Sequence, residues 1–470
     1  MTDAPAPARY LCGCLLLLLV SSPCRADWTA MYETSNDFIA MTPLSPSGLV
    51  TAGGPDVTRL GGDGSVSWGR RAIEDEHTIH FMSCATLSDN SVALIARLDI
   101  ASGYETPMVC KIDPQGEISW ARQFPGASPS ILNGIVVAED DTIISIGSRD
   151  LGTDTEVLWM IAMDPSGQVL WERAYQSFWS AGRTVSIARN GDLVISGNRF
   201  FQTVGSLPPA GPGFVARLDP GGNGQWGVFF PRPEEPFDTT TQIITAAVEL
   251  SNGDLLAAGA GGPMDTSGWV TLFWSISAYG YSQGVWSAPD LGWPTAGSRG
   301  VDDFGPVFWG GPKMAGIESS WFWSGQPGAA GAWGRLITGP DNEGGLFAGF
   351  RASNGDLLFS SWLGGQGPVI WRTSPDGLMP QCGFTEETDL TFQGPSNQPI
   401  HGSFSLSSVQ TTVENFPMAL EVHQLEPSYF CGQPVVAPAI PVHNDFGVAL
   451  LVLLLLAAGM RVLCCTSTRR

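Results

Sequence analysis

Helical periodicity is almost absent from this chain, charge is sparse, and the motifs that mark common chemistries are missing. Only 14% of the residues are charged while 43% are hydrophobic, which reads as globular rather than disordered. Positive charge is the scarcer sign: 23 Lys and Arg stand against 45 Asp and Glu, a net charge of −22. A surface of that sign repels a phosphate backbone, which argues against a nucleic-acid partner. No P-loop and no cysteine pair at metal-ligand spacing occurs. With five histidines in all, no Ser-His-Asp or Cys-His set stands out. No catalytic residue, metal ligand or cofactor is therefore assigned.

What the chain does have is turn chemistry. It holds 58 Gly, 35 Pro and 17 Trp, a composition that suits short strands joined by tight turns. Residues 157–197 show the unit. An apolar run at 158–163 meets Asp164-Pro165-Ser166-Gly167, and residues 168–174 carry Trp171. After a loop, residues 185–189 and 193–197 flank Asn190-Gly191-Asp192. Pro presets one turn dihedral, Gly takes the positive φ, and Asn-Gly is a two-residue hairpin signal. The same unit leads to Trp68, Trp120 and Trp226, so that the four Trp are spaced by roughly 51–55 residues, a propeller-blade period. Two weaker copies follow, at 269–286 and at 320–333 with 345–359. Residues 369–382 supply the last outer pair, and a hairpin is expected near Asp303.

The expectation is an all-β, seven-bladed β-propeller over residues 27–384. Residues 385–432 break the pattern and read as a small β appendage, with an eighth blade as the alternative. Residues 433–445 are a Pro-rich linker. The apolar run at 446–465 reaches transmembrane length when Arg461 snorkels, and 466–470 form a basic tail. At the other end, residues 1–26 read as a signal peptide: Arg9 precedes an apolar run at 11–20, and Cys24-Arg25-Ala26 fits a cleavage site before Asp27. Acylation of Cys24 is the alternative there.

Nine cysteines sort by compartment. Cys12, Cys14 and Cys24 leave with the signal, and Cys464 and Cys465 lie at the far end. For an oxidising space, chain order pairs Cys382 with Cys431 and Cys84 with Cys110. The second pairing conflicts with the strand alignment, which puts Cys84 on a first strand and Cys110 on a third. They would then be about 9.6 Å apart, beyond disulfide reach.

The repeat resembles bacterial exported propeller families in which each copy carries a strand, a D-x-x-G turn and a Trp strand. It is also similar to the tryptophan-docking repeat of pyrroloquinoline-quinone dehydrogenases, though the Asp-to-Gly turn is one residue shorter here. The sialidase Asp-box is a poorer match, with shorter Asp–Gly and Gly–Trp gaps. Each resemblance implies a structural role, with Trp packed between blades and Asp and Gly holding the turn. The C-terminal residues resemble an IPTL-type sorting signal of Gram-negative bacteria. Ile440, Pro441 and Gly447 match, Val442 replaces Thr, His443-Asn444 replace Leu-Ser, and Asp445-Phe446 replace Glu-Trp. That resemblance implies two processing partners, signal peptidase and an exosortase-like transpeptidase. It also implies a temporary membrane segment and a mature protein at the cell surface.

The candidates for chemistry are few. Glu74-Asp75-Glu76-His77-Thr78-Ile79-His80 has two imidazoles near three carboxylates, but positions three apart on a strand face opposite sides, so an acidic interblade loop is the expected reading. Asp140-Asp141 and Asp302-Asp303 lie outside any calcium-loop pattern and read as turn acids. Between Trp269 and Trp333 aromatic residues are dense. Trp293, Trp309, Trp321 and Trp323 there are candidates to stack on sugar rings, against the alternative that they fill degenerate blades. The function read from these features is a non-catalytic, surface-displayed binding or structural module, with carbohydrate or extracellular matrix as ligand. The rivals are an exported enzyme acting on polysaccharide, a quinone-dependent dehydrogenase, and an inert scaffold. Acids or Arg converging on the central funnel would favour an enzyme, and a chemically quiet face a binder.

Overall fold

The computed structural model describes residues 28–431 apart from the connecting segments 33–38, 46, 74–77, 100–104, 126–129, 151–155, 200–212, 231–239, 264–269, 289–293, 299–305, 312–319, 328, 330–331, 338–345, 364–366, 380–384, 389–399, 403–405, 408–413, 416–418 and 423–426. Every described element is a strand. They form a seven-bladed β-propeller. Blades 1 to 6 cover residues 40–73, 78–123, 130–179, 180–229, 240–288 and 294–337, each an antiparallel four-stranded sheet. The long strand Val169–Ile187 leaves the outer edge of blade 3 and becomes the inner strand of blade 4. In blade 6, Pro294–Ser298 pairs with Val307–Gly310 across the stretch that contains Asp303, where the degenerate hairpin was expected.

Blade 7 (residues 346–373) takes its outer strand from the other end of the chain. Trp28–Tyr32 pairs antiparallel with Gly367–Thr373, from Trp28↔Arg372 to Met31↔Val369. The expected outer pair within residues 369–382 is thus replaced by an N-terminal strand. The substitution closes the ring: a blade completed from both chain ends cannot separate without breaking a full ladder.

The core is partitioned between blades. Seven clusters of buried residues are seen among the described residues, each shared by two neighbours, from Val57 with Leu94 between blades 1 and 2 round to Tyr32 with Leu49 between blades 7 and 1. Burying one such large apolar side chain stabilises the fold by roughly 1.5–3 kcal/mol, so it is the stacking of blades, not any single blade, that holds the molecule together.

The Trp of each unit makes that stacking specific. Trp68 donates its Nε1–H to the Pro114 carbonyl at 3.0 Å, Trp120 to Pro165 at 2.9 Å, and Trp226 to Ala278 at 3.0 Å, each in the next blade's outer turn. Two residues on, Arg70 and Arg122 lie over their own Trp rings and donate Nε–H to the Gly116 and Gly167 carbonyls. Inside the turn, Asp164 Oδ1 accepts the backbone N–H of Ser166 and Gln168, both at 2.9 Å. The Ser166 hydroxyl, which also donates to Oδ1 at 2.7 Å, and then these backbone bonds hold the Asp164 carboxyl below its ordinary range. The structural roles expected for Trp, Asp and Gly are what the structure shows.

The described strands of the expected C-terminal β segment lie outside the seven four-stranded blades, but they are not a separate lobe. Thr385–Thr388 adds a fifth strand to blade 6, Ile400–Gly402 to blade 4, Leu406–Ser407 to blade 3, Glu414–Asn415 to blade 2, Ala419–Val422 to blade 1, and Pro427–Cys431 to blade 7. The segment runs backwards round the rim as a belt, satisfying edge groups that would otherwise be open for pairing with other chains. No strand of an eighth blade occurs among the described residues. No described helix is long and apolar enough to cross a membrane; the expected signal, linker and membrane segments lie outside the described residues.

The pairing of Cys84 with Cys110 is corrected. Both are buried free thiols, and both are register partners of Leu94, on opposite sides of it. One strand separates them, which is about 9.6 Å. Cys382 lies outside the described residues, and Cys431 ends the last belt strand.

Candidate functional site

The innermost strands of the blades line a central channel, and one irregularity recurs in them. The register slips by one residue at Met82, Asn133, Arg183, Thr245, Thr295 and Phe347, so that six blades carry a β-bulge at the same place. In blade 1 the equivalent residue is Ile39, just before the strand Ala40–Pro43. A bulge unpairs one residue and re-aims its side chain. Here Ile39, Met82, Asn133, Arg183, Thr245 and Phe347 all line one cavity of about 360 Å³.

Glycine on the second strand makes room for the bulge in blades 3, 4 and 5. A Cβ at Gly197 would fall 2.1 Å from the Ala181 carbonyl oxygen, and one at Gly259 would fall 2.0 Å from that of Ile243. Since bonded contact alone is shorter, any side chain there would push the inner strand away and undo the bulge.

The channel wall is chemically uneven. Asn133 donates Nδ2–H to the Gly182 carbonyl at 2.8 Å, tying blade 3 to blade 4 beside the bulge. Thr245 donates to the Ala258 carbonyl at 3.3 Å. Arg183 has no hydrogen-bond or ion-pair partner among the described residues. Its guanidinium is open to water within the channel, yet the surrounding wall crowds it, and this burial lowers its pKa. Cys84 also reaches the wall, but burial pushes its thiol well above the ordinary range, so it is no nucleophile. No carboxylate and no imidazole is among the described residues that line this cavity, and no cluster of metal-binding side chains occurs among the described residues.

The expected sugar-stacking residues are not brought together. Trp309, Trp321 and Trp323 are only 2%, 1% and 5% exposed. Trp309 packs edge-on to Phe359 at 5.6 Å, Trp321 likewise to Phe273 at 6.4 Å, and Trp323 donates to the Gly325 carbonyl at 3.0 Å. A sugar needs an open ring face, and these three have none: they fill the degenerate blades 5 to 7. Trp293 lies outside the described residues, as do Ile440, Pro441, Asp445, Phe446 and Gly447 of the sorting motif. Of the acidic candidates, Asp140 and Asp141 are turn residues, with Asp140 Oδ1 accepting the Thr142 N–H at 3.0 Å. Glu74-Asp75-Glu76-His77 and Asp302-Asp303 lie outside the described residues.

A second cavity, of about 540 Å³, opens among the hairpins of blades 7, 1 and 2. Its cations already have structural partners. Arg372 pairs with Asp356 at 2.8 Å, and Arg351 donates to the Gly355 carbonyl at 3.0 Å and to Ser324 Oγ at 2.9 Å. Burial lowers the Arg351 pKa to about 10. The channel is the better candidate.

The reading of the sequence missed Arg183, although a signal was there. Arg183 stands six residues before Arg189 at its hairpin, as Met82 stands before Ser88, Asn133 before Glu139, Thr245 before Ser251 and Phe347 before Ser353. Aligning those positions isolates one cation in a neutral set.

No protein-family model matches the chain, and no curated protein sequence does. Several solved structures are similar to it at low identity. A protein of unknown function from Bacteroides caccae is 12% identical over 73% of this chain and 94% of its own, with a TM-score of 0.37. One of unknown function from Dyadobacter fermentans is 12% identical over 64% and 98%, with a TM-score of 0.44. The NanB sialidase of Streptococcus pneumoniae is 9% identical over 77% and 73%, with a TM-score of 0.40.

Proposed function

We propose that this protein is an exported, surface-displayed propeller that holds a ligand in its central channel without transforming it. The observation that carries the reading is the lining. A glycosidase needs two carboxylates facing the scissile bond, whereas the described lining of the bulge cavity is neutral side chains and one arginine. The rival enzyme reading calls for acids converging on the funnel, and none lines this cavity among the described residues.

Export rests on the sequence. The leader at residues 1–26 and the tail from Ile440 support removal by signal peptidase, passage through a membrane-anchored intermediate at 446–465, and transfer to the cell surface by an exosortase-like transpeptidase. Intact mass of the protein recovered from host envelopes is the test. Loss of the residues before Asp27 and of those beyond Pro441 is expected, while a chain retaining the apolar tail would mean a permanent anchor. Incubation with the host's own surface polysaccharides tests the binding role, and the appearance of shortened or oxidised products would replace it with catalysis.

A further inference from the structure

The blades run round the ring in chain order, their inner strands touching in sequence and the first meeting the seventh. That order fixes which bulge residues face each other. Arg183 in blade 4 is flanked by Asn133 in blade 3 and Thr245 in blade 5. Across the channel stand Phe347 in blade 7, Ile39 in blade 1 and Met82 in blade 2. One half of the ring is polar and cationic, and the other is apolar.

Arg183 is the departure that needs explaining. The other named bulge residues are neutral, so the bulge itself has no need of charge. A guanidinium stays protonated at neutral pH wherever it is placed, and here it faces the water of the channel with no counter-charge among the described lining. Nothing described in the wall offsets it: no carboxylate of the lining approaches, although the chain as a whole is acidic. An entering anion would supply the missing partner through a paired, two-pronged hydrogen bond. An apolar group on that anion would displace water from the opposite wall.

We propose that the channel binds a small organic carboxylate, its head on Arg183 and its apolar body against Ile39, Met82 and Phe347. This rests on the reading of the channel as a non-catalytic binding site. An inorganic anion would use the guanidinium but gain nothing from the apolar half, and a neutral isostere would gain only the apolar half. Both halves are needed for tight binding.

The test is calorimetric titration of the intact protein with octanoate at low ionic strength, with octanamide and sulfate as controls, and with Arg183→Met and Arg183→Lys alongside. Saturable octanoate binding is expected, weakened at least about tenfold by R183M, partly kept by R183K, and at least about tenfold tighter than that of octanamide or sulfate. Arg183 is exposed to the channel water and has no partner among the described residues, so the R183M melting temperature is expected to stay close to that of the native protein. If R183M does not fold, the octanoate–octanamide difference on the native protein and the R183K titration decide alone. Absence of octanoate binding, equal binding of octanamide, or equal binding by folded R183M would overturn the assignment. A neutral envelope glycan bound unchanged, with no response to R183M, would overturn the anion and leave the binding role standing. Chemical conversion of a bound envelope ligand would overturn the binding role itself.

Discussion

The Trp120 ring of blade 2 lies against Gly167 of blade 3 so closely that a Cβ on that glycine would sit 2.8 Å from Trp120 Cδ2. Gly167 has a φ of +79°, so the turn needs glycine for its backbone and the neighbouring blade needs it for space. Gly191 separates the two demands: its φ is +86°, but a Cβ there would meet only Pro220, at 3.9 Å. Both Gly→Ala variants should lose about 1–2 kcal/mol to backbone strain. Gly167→Ala should lose about 1–3 kcal/mol more through overpacking. Urea unfolding of the two variants checks this, and equal losses would mean the ring moves aside at no cost.

Asn90 and Asp141 are left-handed without being glycine, at φ of +62° and +63°. Each reaches into the preceding blade's hairpin. Asn90 Oδ1 accepts the Ser45 N–H at 2.9 Å, and Asp141 Oδ1 accepts the Ser88 N–H at 2.8 Å. The interblade bond offsets the strain. Asp141→Gly should therefore be nearly neutral, exchanging one term for the other, while Asp141→Ala keeps the strain and loses the bond, at about 1–2 kcal/mol. Thermal melts of both variants rank them, and a D141A protein as stable as D141G would refute the pairing.

Cys110 should behave as a sealed thiol. In the native protein it is not expected to react with a thiol reagent at pH 8, and it should react once the protein is unfolded. Burial pushes the Cys110 thiol from its ordinary 9.0 up to about 12. A group whose folded pKa is raised contributes its full stability below the unfolded pKa and loses it as pH rises through the folded one. This contribution should therefore be intact below pH 9 and fade towards pH 12, a decline that Cys110→Ala should reduce. Fast native labelling, or a pH dependence unchanged in C110A, would show that the site is open.

Local chemistry was legible and circular geometry was not. Asp164-Pro165-Ser166-Gly167 states its turn in four residues, and Trp120 falls at a fixed distance before it, so blade identity and the structural role of Trp followed from spacing. The aromatic run misled because Trp309, Trp321 and Trp323 stand among turn-rich residues, where chain neighbours do not reveal burial. Trp321 is sheltered by Phe273 in blade 5 and Trp309 by Phe359 in blade 7. Arg183 hid for the same reason: its meaning lies in which blades stand opposite, a relation that exists only once the ring closes. The belt was invisible because its strands are as short as two residues, as in Leu406–Ser407 and Glu414–Asn415, too short for any alternating pattern.

The belt and the ring closure meet at one strand. Trp28–Tyr32 is held by Gly367–Thr373 on one side and by Pro427–Cys431 on the other. Every other belt strand covers an outer strand that is continuous in chain with its own blade, but this one covers the strand that joins the two ends of the ring. Its removal should therefore loosen closure, not merely uncover an edge. A chain ending at Glu426 is expected to melt below one ending at Gly432. Amide exchange in residues 28–32 should accelerate ahead of exchange in the inner strands, because the freed edge opens first. A chain ending at Phe384 should go further and aggregate with rising concentration, since five more edges lose their cover. Unchanged exchange at residues 28–32 in the shorter chain would mean that pairing with Gly367–Thr373 alone secures the ring and that the belt serves only to mask edges.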